Sequence, residues 1–480
     1  MKILERLPSY FERFLYPQIV GAARLLYLLP CTILAFICTD AVAVPQPLRS
    51  DITVKKILDT VSASPSIRIV KHPNSRFLMY LKLNGDIYRV DLLKGTQLRV
   101  NTSAQHLLAN TQGMAIGSDG VIYLVGNEDL PNNQTRAKIV KGVYDIVLKK
   151  RVWSVLAETV GYPKSATAFD HRFNGIVVSP AGDFIYVNSG SRTDHGEIQT
   201  AGGLYPNIRE VGLTACILRL PTGGSNIILP NNRASLRSAG YIFSEGTRNT
   251  FDMAFASNGD LFGTENGPDR DMSEELNWLR LGKHYGFPWR IGGEDNPQQF
   301  PDYNPVTDLL LDKRFIAVKK GFYYNDPTFP KRPVRPLIEP IANFGPDADS
   351  FRDPIDGLVK DASDLGVPLG TFTSHRSPLG LVFDRTAAMS AEFQGDGFML
   401  SWTPGDPLGQ AVAGPFHDAS QDLLNLNLTK IGQSNYQLQA TRIVEGFNRP
   451  IDAEIIGNNI YVLEYGGTQG IWQITMPPKI

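Results

Sequence analysis

One phrase recurs along this chain and constrains it more than any other feature. It is a four- or five-residue apolar run, a turn carrying Gly, Asn or Asp, then a second apolar run with an aromatic residue. Gly113-Met-Ala-Ile-Gly-Ser-Asp-Gly-Val-Ile-Tyr-Leu-Val-Gly126 is one copy, and Gly175 to Asn188, Asp252 to Gly263 and Asp452 to Glu464 are three more. Weaker copies start at Ser66 and at Gly380, the last with a long insert before Trp402. Each reads as a β-hairpin, two β-rich runs joined by a tight turn. Several continue into a third strand, as at Ile87-Tyr-Arg-Val-Asp91, Ala137 to Lys141 and Ile217 to Leu220. A sheet of three or four antiparallel strands cannot bury both faces alone, whereas radial stacking of such sheets does so and leaves only short edges. Six copies predict an all-β fold, a six-bladed β-propeller with long decorating loops. A β-sandwich beside an irregular domain is the competing arrangement.

Composition supports that class. Gly 44 and Pro 33 make up about 16 % of the 480 residues, against about 12 % on average, as many tight turns require. Hydrophobic residues at 42 % and charged residues at 20 % exclude a disordered chain. Lys+Arg 47 against Asp+Glu 48 leaves no basic surplus for neutralising phosphates, so nucleic acid is excluded as a generic partner.

The first 43 residues read as a signal peptide. Lys2, Arg6, Arg13 and Arg24 precede an apolar run from Leu25 to Cys38, followed by Ala41-Val42-Ala43. A basic start, a short apolar run and a small-x-small site mark an exported chain. The run is short for a membrane span of about 20 residues, so no stable span is expected after cleavage; retention as an anchor is the alternative. Residues 44–480 are expected to form the propeller, with a large Pro-, Asp- and Asn-rich insertion over about 289–373, in a periplasmic or secreted protein. Cleavage leaves Cys216 alone, without an internal disulfide, and its strand-like setting suits a buried inert thiol.

Propellers place chemistry where loops of all blades converge on the axis. Residues just before the first strand of each phrase, and just after the second, are therefore the candidates. They are Asp170-His171-Arg172-Phe-Asn174, Gly246-Thr247-Arg248-Asn249, Glu265-Asn266-Gly267-Pro268-Asp269, Ser374-His375-Arg376 and Phe447-Asn448-Arg449-Pro450. A His among several Arg and Asn suits an anionic or quinone-like ligand plus a proton acceptor. Taken singly, each has a plainer reading as surface His, turn or edge cap.

The stretch Glu245 to Pro268 resembles the "G-x-R-N-P-x-G-L-A-F … E-x-G-P" segment of the soluble quinoprotein glucose/sorbosone dehydrogenases. The likeness continues through Glu275-Leu-Asn277 and Gly282 to Pro288. Asp170-His171 with Val178-Ser-Pro180, His375 to Phe383, Phe393 to Trp402 and Gly446 to Asp452 are similar to further elements of that family. The resemblance implies a six-bladed propeller carrying pyrroloquinoline quinone and Ca²⁺, with a sugar or polyol as substrate and an external electron acceptor. It makes His171 the general base, Arg248 the cation at the quinone oxygen that receives hydride, and Asn249 its neighbour in cofactor binding. Gly267 and Pro268 become the backbone-carbonyl ligands of calcium, and Arg449 a contact for a cofactor carboxylate. Those types suit the chemistry: imidazole titrates near neutrality, a developing oxyanion needs a fixed cation, and Ca²⁺ prefers oxygen ligands.

The chain departs from the glucose branch at three points. Ser191 stands where an aspartate orients the His, with Asp194 nearby as a substitute. No basic residue occupies Ser401 to Pro404, and Ile451 replaces a second arginine beyond Arg449. Two other classes therefore stay open: a catalytically silent propeller that binds carbohydrate or protein, and a calcium-dependent propeller lactonase recruiting Glu265 or Asp269. No C-x-x-C-H haem-attachment motif is present in the sequence, so electrons from an oxidation would leave to a separate carrier.

Overall fold

Each of the six phrases forms the two innermost strands of one antiparallel sheet, and the six sheets stand radially around a common axis as a β-propeller. The computed structural model describes residues 44–108, 110–404 and 415–480. The leader read over 1–43 lies outside the described residues. The inner strands are Ser66–Lys71, Thr111–Ile116, Phe173–Val178, Thr250–Phe255, Pro378–Phe383 and Pro450–Ile456, in blades one to six. Each packs against the next, and the last returns to the first. The ring is closed by Thr53–Asp59, which pairs antiparallel with Gly470–Thr475 as the outer strand of blade six. Blade four has three strands, ending with Glu275–Leu279, before the chain enters its longest excursion. Part of that excursion, Ala342–Pro346, returns as a parallel edge strand on blade five.

The core lies between the faces of neighbouring blades. Leu78, Ile87, Leu124 and Leu463 belong to one cluster joining blades six, one and two, and Val125, Ile139, Phe173 and Val187 to another joining blades two and three. A second strand such as Phe77–Lys82 has apolar groups on both faces and is buried along nearly its whole length. That is why it reads as a continuous apolar run. Cys216 is buried and reduced, its thiol pushed up by burial, as expected of an inert core thiol.

All six inner strands carry a register irregularity in their first residues. Such bulges bend a strand and re-aim its side chains. The third residue of each inner strand lines the axis: Arg68, Gly113, Gly175, Asp252, Gly380 and Asp452. A Cβ on Gly113 would meet Asn174 O at 2.1 Å, and one on Gly175 would meet Phe251 O at 2.7 Å. The space is taken instead by Arg68, which reaches across from blade one to blade four. Its Nη2 donates to Phe251 O at 2.8 Å and its Nε to Gln112 O at 3.1 Å, while Nη1 lies 4.0 Å from Asp252 Oδ1. Asp252 and Asp452 each accept an N–H from the next inner strand, of Leu381 and Ile69 respectively. This ionic plug separates the two ends of the axis.

Candidate active site

At the end of the axis where the inner strands begin, an asparagine ladder ties three blades together. Asn188 Nδ2 donates to Asn174 Oδ1 (2.7 Å), Asn174 Nδ2 to Asn249 Oδ1 (2.8 Å), Asn249 Nδ2 to Asn266 Oδ1 (2.9 Å) and Asn266 Nδ2 to Pro378 O (3.0 Å). Asn174, Asn249 and Asn266 each give and accept in one direction, which fixes their side chains, while Asn188 heads the ladder as a donor only. Asn249 thus has both ends of its amide engaged within the protein.

His171 stands beside this ladder, 5 % exposed. Its backbone N–H donates to Ser191 O at 2.9 Å, and its Nδ1 lies 3.3 Å from Ser191 Oγ. The Ser191 hydroxyl gives its one proton to Thr193 O at 2.8 Å, so it accepts from His171 Nδ1–H. The ring then carries its proton on Nδ1 and its lone pair on Nε2. Burial, with the Arg248 cation, holds His171 well below its ordinary value, hence neutral. Ser191 also joins the His171 loop to the Arg248 loop, its N–H donating to Arg248 O at 2.6 Å. Gly190 lets the loops meet: a Cβ there would lie 2.5 Å from His171 Cβ and 3.2 Å from Arg248 O.

Arg248 is 3 % exposed and held on three sides. Nε donates to Asp194 O (2.6 Å), Nη2 to Asp194 Oδ1 (2.8 Å) and Nη1 to Asn266 O (2.9 Å). The backbone N–H groups of Arg248 and Asn249 both donate to Glu265 Oε1. Asp194 therefore clamps Arg248 instead of orienting His171, as the sequence suggested it could, and among the described residues Ser191 takes the Nδ1 proton. The Asp194 carboxylate also accepts from Asp269 N–H, from Tyr323 OH at 3.2 Å and from His195 Nδ1 at 2.9 Å. Burial opposes its charge, but the His195 hydrogen bond and Arg248 prevail and hold it at about 2. The His195 ring stacks on Tyr323 with centroids 3.8 Å apart.

Behind Arg248 lies a cavity of about 10 Å³ between Glu265 and Glu275. Asn277 Nδ2 donates to Glu275 Oε2 at 2.7 Å and reaches Glu265 Oε2 at 3.5 Å. Burial and mutual repulsion push Glu265 well above the carboxylate range, and burial pushes Glu275 up to about 7. Gly267 and Pro268 follow directly after Asn266, and the Gly267 N–H donates to Glu274 Oε2 at 3.0 Å. Among the described residues no three or more His, Cys, Asp or Glu side chains are grouped to hold a metal.

Arg449 stands before the inner strand of blade six, in a left-handed backbone conformation (φ 51). Its guanidinium lies over the Trp402 ring at 5.9 Å and shares no hydrogen bond with the Arg248 network. His375 pairs with Asp271 at 2.7 Å and faces Phe315. Arg376 turns away into blade five, bonded to Asp418 and Asp422 with no exposure. The loop after blade four covers the site: besides Tyr323, Ala317 N–H donates to Asp269 Oδ2 at 2.9 Å. Asp194, His195 and Tyr323 escaped the positional rule because they lie inside long loops, not at strand ends.

Residues 117–306 match the family model described as Glucose / Sorbosone dehydrogenase. The resemblance read from the sequence is to that family. The PQQ domain of pyranose dehydrogenase from Coprinopsis cinerea, in its holo form, shares the fold with a TM-score of 0.51 at 13 % identity, over 90 % of this chain and 97 % of that one. A glucose dehydrogenase superimposes with a TM-score of 0.50 at 13 % identity, covering 88 % and 99 %. PQQ-bound aldose sugar dehydrogenase from Streptomyces coelicolor gives 0.48 at 16 % identity, covering 90 % and 99 %. No curated protein matches the chain in sequence. The fold is that of the glucose/sorbosone dehydrogenase propellers, and no helix among the described residues is long and apolar enough to cross a membrane.

Proposed function

We propose that this is an exported quinoprotein dehydrogenase that oxidises a sugar or a related alcohol or aldehyde. The observation that carries the reading is the neutral His171, its proton locked on Nδ1 by Ser191 and its lone pair left on Nε2, one loop contact from the fixed Arg248. A hydroxyl losing hydride must also lose its proton, and a neutral imidazole is the group for that. Arg248 keeps its planar fork in one orientation, as stabilising a developing oxyanion requires.

The donor set fits pyrroloquinoline quinone at its reactive end. Arg248 and the Asn249 loop would hold that end. Arg449, whose guanidinium makes no hydrogen bond among the described residues, would hold a carboxylate, and the carbonyls of Gly267 and Pro268 would take Ca²⁺. The bound quinone would supply the two-electron acceptor. Because His171, Arg248 and Asn249 are 3–5 % exposed, loading requires the covering segment around Tyr323 to move aside. An external carrier takes the electrons onward, and the leader places the reaction in the periplasm or outside the cell.

A second reading, a binding propeller without turnover, draws on the neutralisation of Arg248 by Asp194 and on the buried Ser401 and Ile451, which supply no further cation. One experiment separates the two. Purified protein is given the quinone and Ca²⁺, and dye reduction is followed across a panel of sugars for wild type, Arg248→Lys and Arg248→Ala. The dehydrogenase requires turnover that falls about 10²–10³-fold in Arg248→Ala and less in Arg248→Lys, which keeps the charge but not the fork. No turnover in wild type and no quinone absorbance retained by the protein would leave the binding propeller.

A further inference from the structure

The opposite end of the axis, where the inner strands finish, opens into a second and larger space. It is a bowl of about 530 Å³, in the range of small-molecule sites and far larger than the cavity behind Arg248. The Arg68 plug separates it from the His171 end. Lys71 and Arg385 are set into its wall at the ends of the inner strands of blades one and five. Among the described residues neither the Lys71 Nζ nor the Arg385 guanidinium makes a hydrogen bond or an ion pair. Most other arginines of the described chain have carboxylate or carbonyl partners, so Arg385, set in one concavity with Lys71 and with only the Glu454 carboxyl near Lys71, is a distinct feature.

The remaining polar groups narrow the ligand. Glu454 lines the bowl, its carboxyl oriented by the N–H groups of Lys71 (3.0 Å) and Ile455 (2.9 Å). Each of its oxygens has a second lone pair that can accept a hydroxyl. Ser118, Ser257 and Thr386 add hydroxyls around the rim. Two cations demand an anion. A carboxylate beside them repels a compact dianion such as phosphate, and the volume exceeds what one would fill. Several hydroxyl and carboxylate acceptors ask for a ligand with hydroxyls of its own.

We propose that this bowl binds a small polyhydroxylated monocarboxylic acid, its carboxylate between Lys71 and Arg385 and its hydroxyls toward Glu454, Ser118 and Ser257. Such acids are the class of compound that aldose oxidation yields once the lactone has hydrolysed, so on the dehydrogenase reading the far mouth would sense product. Binding itself holds whether or not the opposite end carries out oxidation.

The test is titration calorimetry of the mature protein with D-gluconate, and with D-glucose, succinate and inorganic phosphate as comparisons. Wild type is expected to bind one gluconate and to prefer it to the other three. Lys71→Ala and Arg385→Ala are each expected to weaken binding about tenfold or more, the usual loss of a charge-assisted hydrogen bond. Lys94→Ala, an exposed lysine outside the bowl, should leave it unchanged. Arg385 is exposed and Lys71 half-buried, and an unchanged thermal unfolding curve shows that each variant is folded. No gluconate binding to wild type, or binding indifferent to Lys71 and Arg385, overturns the site. Equal affinity for succinate or phosphate overturns the polyhydroxy acid. None of these outcomes bears on dye reduction, so the dehydrogenase reading stands or falls separately.

Discussion

Asp194 holds Arg248 at two points, with its backbone carbonyl on Nε at 2.6 Å and its carboxylate on Nη2 at 2.8 Å. The two residues come from loops of adjacent blades, and both are buried. A buried guanidinium without its counter-ion is costly, so Asp194→Ala is expected to destabilise the fold by about 3–5 kcal/mol. The pair also sets an acid limit. With its folded-state value depressed to about 2, Asp194 contributes stability that is complete above the ordinary carboxylate range and is lost as pH falls toward about 2. The contribution is about 2 kcal/mol. Urea unfolding of wild type and Asp194→Asn across that range checks it: parallel pH curves would mean that Asp194 does not carry the acid sensitivity.

The tautomer of His171 rests on one hydroxyl. Ser191→Ala removes the acceptor for Nδ1–H, so the ring can turn or exchange its proton, and dye reduction by the reconstituted protein is expected to fall about tenfold. His171→Gln removes the base itself and should cost about 10²–10⁴ in rate while the quinone still binds. Rate and cofactor affinity measured together distinguish the two. Near wild-type turnover in His171→Gln would make this histidine structural.

How much of this was readable beforehand follows from the range of the interactions. Every blade's inner hairpin was legible, because an apolar run, a Gly or Asn turn and a second run are local signals. The third strand Ile87–Asp91 was legible for the same reason. His171, Arg248 and Asn249 do meet, since strand ends at equivalent blade positions face one axis. The clamp on Arg248 was not legible: Asp194 lies in the middle of a loop, and Tyr323 arrives from the excursion after blade four. Arg376 shares the positional signature of Arg248, yet Asp418 and Asp422 draw it into blade five. Arg68 gave no signal, because an arginine in a strand reads as solvent-facing until the ring of six strands places it on the axis.

Gly190 offers a steric test of the loop contact. Its added Cβ would lie 2.5 Å from His171 Cβ and 2.9 Å from His171 O, and backbone cannot yield as a flexible side chain would. Gly190→Ala is expected to cost about 1–3 kcal/mol and to displace His171 from Arg248, lowering turnover beyond the stability loss. Gly182→Ala serves as a comparison, because nothing lies within 4 Å of the Cβ it would carry, and only its left-handed backbone (φ 77) resists the change. Equal effects of the two substitutions on turnover would remove the steric argument.

The buried acids behind Arg248 predict a pH dependence of opposite sign. Burial raises the folded-state value of Glu275 to about 7, so the folded protein keeps a proton that the unfolded chain gives up near the ordinary glutamate value. Stability from this group is complete below that ordinary value and is lost as pH rises through about 7. The loss amounts to about 3 kcal/mol across the window. Glu265, buried beside Glu275 and repelled by it, shifts in the same direction. Glu275→Gln keeps the size and the oxygen that Gly292 N–H meets at 2.6 Å, and it removes the titration. Its amide needs an acceptor in turn, and Asn277 Oδ1, buried without a partner in the wild type, becomes one if the Asn277 amide turns over. Unfolding free energies of wild type and Glu275→Gln should therefore converge at acid pH, or leave the variant slightly weaker there, and diverge in favour of the variant toward neutral. A variant that loses stability with pH as steeply as wild type would show that Glu275 does not carry this pH dependence.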